Sequence, residues 1–152
     1  MAKQRKNSVV VCECLALIML ILVTGCQTSE QSEIGKFQGK WVLTRIVSSS
    51  GKEIFNEDKD KNDFYLTVSA NTFEMKSGPN KASGTVNINT GTNPKEIDLT
   101  YDNVSNGKHV GKTQLSIYKF KGNKLYLAGY ETWSQERPKK FEYCHIMVLR
   151  KQ

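Results

Sequence analysis

Thr85-Val86-Asn87-Ile88-Asn89, followed after the Gly91–Pro94 turn by Glu96-Ile97-Asp98-Leu99-Thr100-Tyr101, is the stretch that decides the fold. In both segments apolar side chains fall at every second position. That is the period of a strand with one buried and one wet face, whereas a helix needs them three and four apart. The pattern continues outward in both directions. Lys40–Val47 is rich in β-branched and aromatic residues, Phe64–Val68 is a second run, and Thr72–Lys76 sets Phe73 and Met75 against Thr72, Glu74 and Lys76. Downstream come Thr113–Phe120, the hairpin signal Lys121-Gly122-Asn123-Lys124, Leu125–Tyr130 and a closing run Phe141–Leu149. Turn residues separate these runs roughly every 8–12 positions. The reading is all-β: eight sequential strands, no long helix, and an eight-stranded antiparallel up-and-down barrel that leaves no exposed edge. A two-sheet sandwich is the competing all-β arrangement.

On this parity Phe73, Met75, Val86, Ile88, Ile97, Leu99, Leu115, Ile117, Leu125 and Leu127 point inward. Barrels of this strand number either enclose one small ligand or are filled by their own side chains, so these residues line a pocket or simply form the core. A slip of one residue in any strand would exchange its inward set for the outer face. The last run is apolar on both faces, with Phe141, Tyr143, Met147 and Leu149 on one and Cys144, Ile146 and Val148 on the other. A closing strand covered outside as well as inside reads this way.

The N-terminal residues carry a different message. Lys3, Arg5 and Lys6 precede the unbroken apolar run Cys14–Val23, which is too short for a comfortable membrane span, and small residues Thr24 and Gly25 come directly before Cys26. Residues 1–25 therefore read as a cleaved secretion signal. The pattern Leu22-Val23-Thr24-Gly25-Cys26 resembles the lipobox of bacterial lipoproteins, which implies diacylation of Cys26 and cleavage just before it. Residues 26–38 then form the lipidated cysteine and a polar tether, in which Ile34 and Phe37 can make one helical turn and an end cover. Residues 39–152 form one barrel domain. In a two-membrane host, Gln27 rather than Asp after the cysteine resembles the signal for sorting to the outer membrane, facing the periplasm.

The chain holds 22 Lys+Arg and 15 Asp+Glu; losing Lys3, Arg5, Lys6 and Glu13 leaves 19 and 14, a net of +5. The excess is scattered singly or in pairs along the sequence, as at Lys139-Lys140 and Arg150-Lys151, without forming a block. It reads as a solvated surface, with attraction of anionic lipid head groups or polyanions through the summed field as the alternative, and no nucleic-acid partner is expected. With Cys12 and Cys14 removed and Cys26 acylated, Cys144 is left alone, next to Tyr143 and Ile146, as a buried inert thiol. Without acylation, a Cys26–Cys144 disulfide is the alternative.

No catalytic constellation stands out. Gly111-Lys112-Thr113 ends like a phosphate-binding loop, but the required earlier glycine is Asn106 and a strand pattern follows instead of a helix. Asp58, Asp60 and Asn62 have calcium-loop spacing, but Asp63 replaces the turn glycine and Ser69 the bidentate glutamate. His109 and His145 sit on different elements without flanking ligands, and no G-x-S-x-G occurs. The expectation is a non-enzyme with neither metal nor cofactor. Tyr130, Trp133 and Arg137 could stack on a ligand at a barrel mouth, or pack with their loop on the barrel.

Gly39-Lys40-Trp41 at the start of the first strand is the G-x-W pattern of lipocalins. It is followed in order by Gly51-Lys52, Pro94–Leu99, Ile117-Tyr118, Gly122-Asn123 with Leu125 and Leu127, Arg137-Pro138 with Phe141, and Val148-Leu149-Arg150. Together these pieces resemble a family of uncharacterised bacterial lipocalin-like domains, often exported and often lipoproteins, over Phe37–Lys151. The resemblance implies that Trp41 closes the barrel base and that Arg150 packs against it. One departure is the short step from Phe141 to the last strand, which leaves the start of that strand open. The resulting expectation is a lipid-anchored barrel of the cell envelope holding a small apolar or amphipathic ligand. The alternative is a filled barrel that meets a protein partner.

Overall fold

The computed structural model describes residues 29–59, 63–130 and 134–152; the segment read as a secretion signal, Cys26, Asp60, Asn62 and Trp133 lie outside them. Among the described residues one helix, α1 (Ser29–Phe37), precedes nine strands: β1 (Gly39–Val47), β2 (Glu53–Asn56), β3 (Tyr65–Ser69), β4 (Thr72–Ser77), β5 (Asn80–Asn89), β6 (Lys95–Val104), β7 (Thr113–Lys121), β8 (Lys124–Gly129) and β9 (His145–Lys151). Every pairing is antiparallel, and β3 to β9 follow β1 in sequence order until β9 pairs back onto β1. Eight strands thus close an up-and-down barrel. The ninth, β2, pairs with β1 at Arg45, Ile46 and Val47, beyond the point where β3 stops. Only four residues long and bordered by a charged loop, β2 carries too little period to be legible beforehand.

Parity inside the barrel follows from the core. Trp41, Leu66, Phe73, Val86, Ile88, Ile97, Leu99, Tyr101, Tyr118, Leu125, Leu127 and Leu149 belong to one buried cluster. Strand β7 is shifted by one residue from the expected parity. Ser116 lies opposite Ile97 and Gln114 opposite Leu99, so Tyr118 and Phe120 continue the inward row. Ile117 instead joins Ala128 and Cys144 in a separate cluster with Phe141 and Ile146 on the outer face, and Leu115 shares its parity. The segment before β9 supplies this outer cover. Phe141–Cys144 are bends, and the closing strand starts at His145 instead of Phe141. Tyr143 has φ +57° and is exposed.

The stretch read as a tether is mostly α1, and it belongs to the folded unit. Phe37 is fully buried, with its ring edge-on to Tyr118 at 4.8 Å and Phe120 at 4.9 Å between centroids. The next residue, Gln38, donates from its amide nitrogen to the Ala70 carbonyl (3.0 Å) and accepts from the Ala70 N–H (2.7 Å), fastening α1 to the β3–β4 turn. Gly39, at φ +103°, turns the chain from helix into strand.

Two irregularities let the sheet curl. In β1 the register shifts between Leu43 and Arg45, and the extra residue Thr44 donates its hydroxyl to the Val148 carbonyl at 3.0 Å. In β5 the register shifts at Ser83/Gly84, where a side chain on Gly84 would lie 1.8 Å from the Thr100 carbonyl oxygen and 3.0 Å from the Phe73 ring. β5 runs straight through Gly84 because backbone and ring need its space. Gly84→Ala is expected to cost about 3 kcal/mol or more, at the upper end of overpacking penalties, since backbone must move. Urea unfolding of the variant beside Thr85→Ala as a surface control measures this.

Candidate functional site

The α1 end of the barrel is a plug. Trp41 is 2% exposed and donates its indole N–H to the Phe37 carbonyl at 2.7 Å. The partner proposed for it is displaced by one residue. Trp41 lies opposite Lys151, whose ammonium sits 5.5 Å from the indole centroid, whereas Arg150 lies opposite Val42 on the outer face and pairs with Glu57 at 3.2 Å. Parity explains the exchange: Leu149 is inward and fully buried, so Lys151 is inward and Arg150 is not.

A carboxylate sits in this plug. Glu33 of α1 is 6% exposed, receives Lys36 at 2.6 Å and Lys95 at 2.7 Å, and accepts from the Tyr118 hydroxyl at 3.4 Å. Burial alone would raise its pKa, but the two ammonium groups outweigh that and hold it below the ordinary glutamate value. Tyr118 is pushed well above the ordinary phenol range by burial and by the neighbouring Glu33 charge, so it stays a hydrogen-bond donor. This network was not visible in the sequence, since Glu33 and Tyr118 are 85 positions apart.

Of the ten residues expected to line a pocket, Phe73, Val86, Ile88, Ile97, Leu99, Leu125 and Leu127 are in the core cluster, and Ile117 with Leu115 faces out. Phe73, Ile97 and Leu125 are 2% exposed or less, so they are packed as core. Met75 lines a cleft. With Ala82 and Val104 it extends the inward row of β4, β5 and β6 towards the end away from α1. There a cleft of about 620 Å³ opens, lined by these three, by Val110, and by Tyr65, Lys76, Lys81, Glu74 and Asp102 among others. Its rim is held by Asp63, which accepts from the Gly78 N–H at 2.8 Å and pairs with Lys76 at 3.3 Å. The Gly78 N–H and the Lys76 charge keep the Asp63 carboxyl below its ordinary value. By strand register Met75, Ala82 and Val104 face inward whereas Tyr65, Glu74, Lys76, Lys81 and Ser83 face outward. The cleft therefore runs over the end of the sheet, with a small apolar inner side and an outer side carrying both charges.

Arg137 holds a loop in place and, with Tyr130, also lines the second of two clefts. It pairs with Asp98 at 2.6 Å and Glu96 at 3.6 Å, and donates to the Ser116 and Ile97 carbonyls at 2.6 and 3.3 Å. That fork pulls the segment after β8 down over β6 and β7. Beside it, Tyr130 and Tyr143 border a second cleft of about 500 Å³ with Lys139, Lys140 and Glu142. Cys144 is buried, and burial raises its pKa, which leaves a neutral, unreactive thiol. Gly111 ends a turn that leads into β7, a strand, so the Gly111-Lys112-Thr113 stretch opens no helix. Among the described residues no group of three or more His, Cys, Asp or Glu side chains is placed to hold a metal.

Comparison with protein-family models, with curated proteins and with solved structures finds no match to this chain. Its class, an eight-stranded closed antiparallel barrel with a lipocalin-like strand order, rests on its own geometry.

Two measurements probe the plug. Lys151→Ala is expected to lower stability by about 1 kcal/mol through loss of the cation–aromatic contact, and Arg150→Ala by less than about 0.5 kcal/mol, the worth of an exposed pair. Equal losses in thermal unfolding would contradict the assignment. Glu33 has a folded-state pKa below its unfolded value of about 4.5, so its contribution is fully present above that value and fades as pH falls through the folded pKa. Glu33→Gln should cost about 1–3 kcal/mol at pH 7 and should flatten the acid limb of the stability curve below about pH 4.5. An unchanged acid limb would show that Glu33 does not couple to folding.

Proposed function

We propose that this chain is a lipid-anchored, lipocalin-like barrel of the bacterial cell envelope that holds a small amphipathic ligand at the end away from α1. The observation that carries the ligand reading is the cleft of about 620 Å³ over Met75, Ala82 and Val104, a size in the range of small-molecule sites. The inner side takes an apolar body, and Lys76, Lys81, Glu74 and Asp102 take a polar or zwitterionic head. The densely packed base excludes a ligand that threads the whole barrel, so the site is shallow. The reading is of a binder and not of an enzyme. Anchoring is supported by the lipobox-like Leu22–Cys26 stretch and by the resemblance to exported lipocalin-like domains. Two acyl chains on Cys26 would hold the protein stably, at about 0.8 kcal/mol per buried CH₂.

A second reading, a filled barrel whose outer surface meets a protein, is favoured by the same packed base. Native mass spectrometry of the processed chain from its host envelope, followed by organic extraction, separates the two. A reproducible extra mass that extracts as one small molecule, and that Ala82→Trp removes without unfolding the protein, is the expected result. A bare polypeptide mass with no thermal shift against a lipid and metabolite panel would move the function to the filled barrel. For the anchor, Cys26→Ser should give a soluble domain or an uncleaved precursor after a high-salt wash. Processed variant that still sediments with membranes would refute lipidation.

A further inference from the structure

Lysines that are scattered along the sequence are brought into one row by the barrel register. On the outer face, Lys121 of β7 lies directly opposite Lys124 of β8, and Lys124 lies directly opposite Arg150 of β9. Lys119 shares the outward parity of Lys121. On β1, Val42 faces Arg150 and Lys40 lies two positions nearer the α1 end. Side chains directly opposite in a sheet have Cβ atoms about 5 Å apart, and like charges there are destabilising. Among the described residues only Arg150 of this row pairs with a carboxylate, Glu57. Lys119 lies over the Phe141 ring at 4.2 Å and Lys40 over the Tyr65 ring at 4.9 Å, contacts that hold the side chains without cancelling their charge.

We propose that this row, Lys40, Lys119, Lys121, Lys124 and Arg150, is a docking surface for the anionic phospholipid headgroups of the membrane that carries the protein. The row borders, on β7, β8, β9 and β1, the end of the barrel that α1 plugs, since Phe120, next to Lys121, packs on Phe37. Ser29, where α1 begins, is three residues from Cys26, and three extended residues span only about 10 Å. A chain anchored at Cys26 therefore presents this end, and not the cleft, to the bilayer. An anionic surface supplies the negative charge that the row lacks, and each lysine near it adds roughly fivefold to binding. The orientation rests on the reading of Cys26 as an anchor; the charge row does not.

The test uses the full processed chain on vesicles of phosphatidylcholine alone or mixed with phosphatidylglycerol, with lysine acetylation read residue by residue by mass spectrometry. Lys121 and Lys124 are expected to label several-fold more slowly on the anionic vesicles only. Protection should vanish near about 0.5 M salt, where screening is strong. Lys52 and Lys108, at the other end, should label alike on both. Lys124→Glu puts opposite charges beside Lys121 and Arg150, so it should raise Tm while removing the protection, by roughly 25-fold in affinity for two units of charge. A purely structural role would not separate the two readouts in that way. Equal labelling on both vesicles, or protection by a soluble polyanion such as DNA with none from anionic vesicles, would overturn the proposal. Retention on the neutral vesicles reports the anchor alone, so the two readings fail separately.

Discussion

The pairing of the first strand with the last is the constraint on which the rest of the molecule depends. Residues more than a hundred positions apart meet there, with Thr44 donating to the Val148 carbonyl across 104 residues of sequence. Closure satisfies the backbone groups that β1 and β9 would otherwise expose as edges. It also works only because β1 carries one extra residue. Strict alternation after Trp41 and Leu43 would turn Arg45 into the core. The bulge at Thr44 instead sends Arg45 outward, towards Glu53, and brings Ile46 inward opposite Met147. A register that keeps a guanidinium out of an apolar interior is worth several kcal/mol, far more than the local cost of one bulge.

That closure explains what could be read from the sequence and what could not. Strands with one clean face, such as β5 with Val86 and Ile88 and β6 with Ile97 and Leu99, declared both their type and their inward side. Where both faces are apolar the period loses its meaning. In β7, Leu115 and Ile117 compete with Tyr118 and Phe120, and the outer pair is needed for the loop clamped by Arg137. No local signal announces a loop that returns to cover a strand's outer face. The same blindness misplaced the partner of Trp41, because Arg150 and Lys151 are both cationic and only the register distinguishes them. Gly84 carries no signal of its role for a different reason: the Thr100 carbonyl and the Phe73 ring that need its space come from other strands.

The helix shows how tertiary context creates structure from a weak local preference. Nine residues with only Ile34 and Phe37 as large apolar side chains would not stay helical alone. The barrel end supplies the missing free energy by burying Phe37 and by giving Glu33 two ammonium partners and a phenol. A buried glutamate held by Lys95 of β6 ties the helix to one place on the sheet, where a purely apolar contact would let it slide. The polar composition that reads as a tether is therefore partly the polar lining of a plug.

The charge row at the same end follows from the same register logic. Phe120, Leu125 and Leu149 are set opposite one another as an inward apolar row, and the neighbouring positions must then face one another outward. The core thus dictates that positions 121, 124 and 150 be adjacent, but nothing in the core dictates that all three be cationic. Neutral or alternating side chains would satisfy the fold with less repulsion. That unrequired repulsion is what supports the proposed headgroup surface, and the three-residue separation of Ser29 from Cys26 in sequence is what would give it a direction.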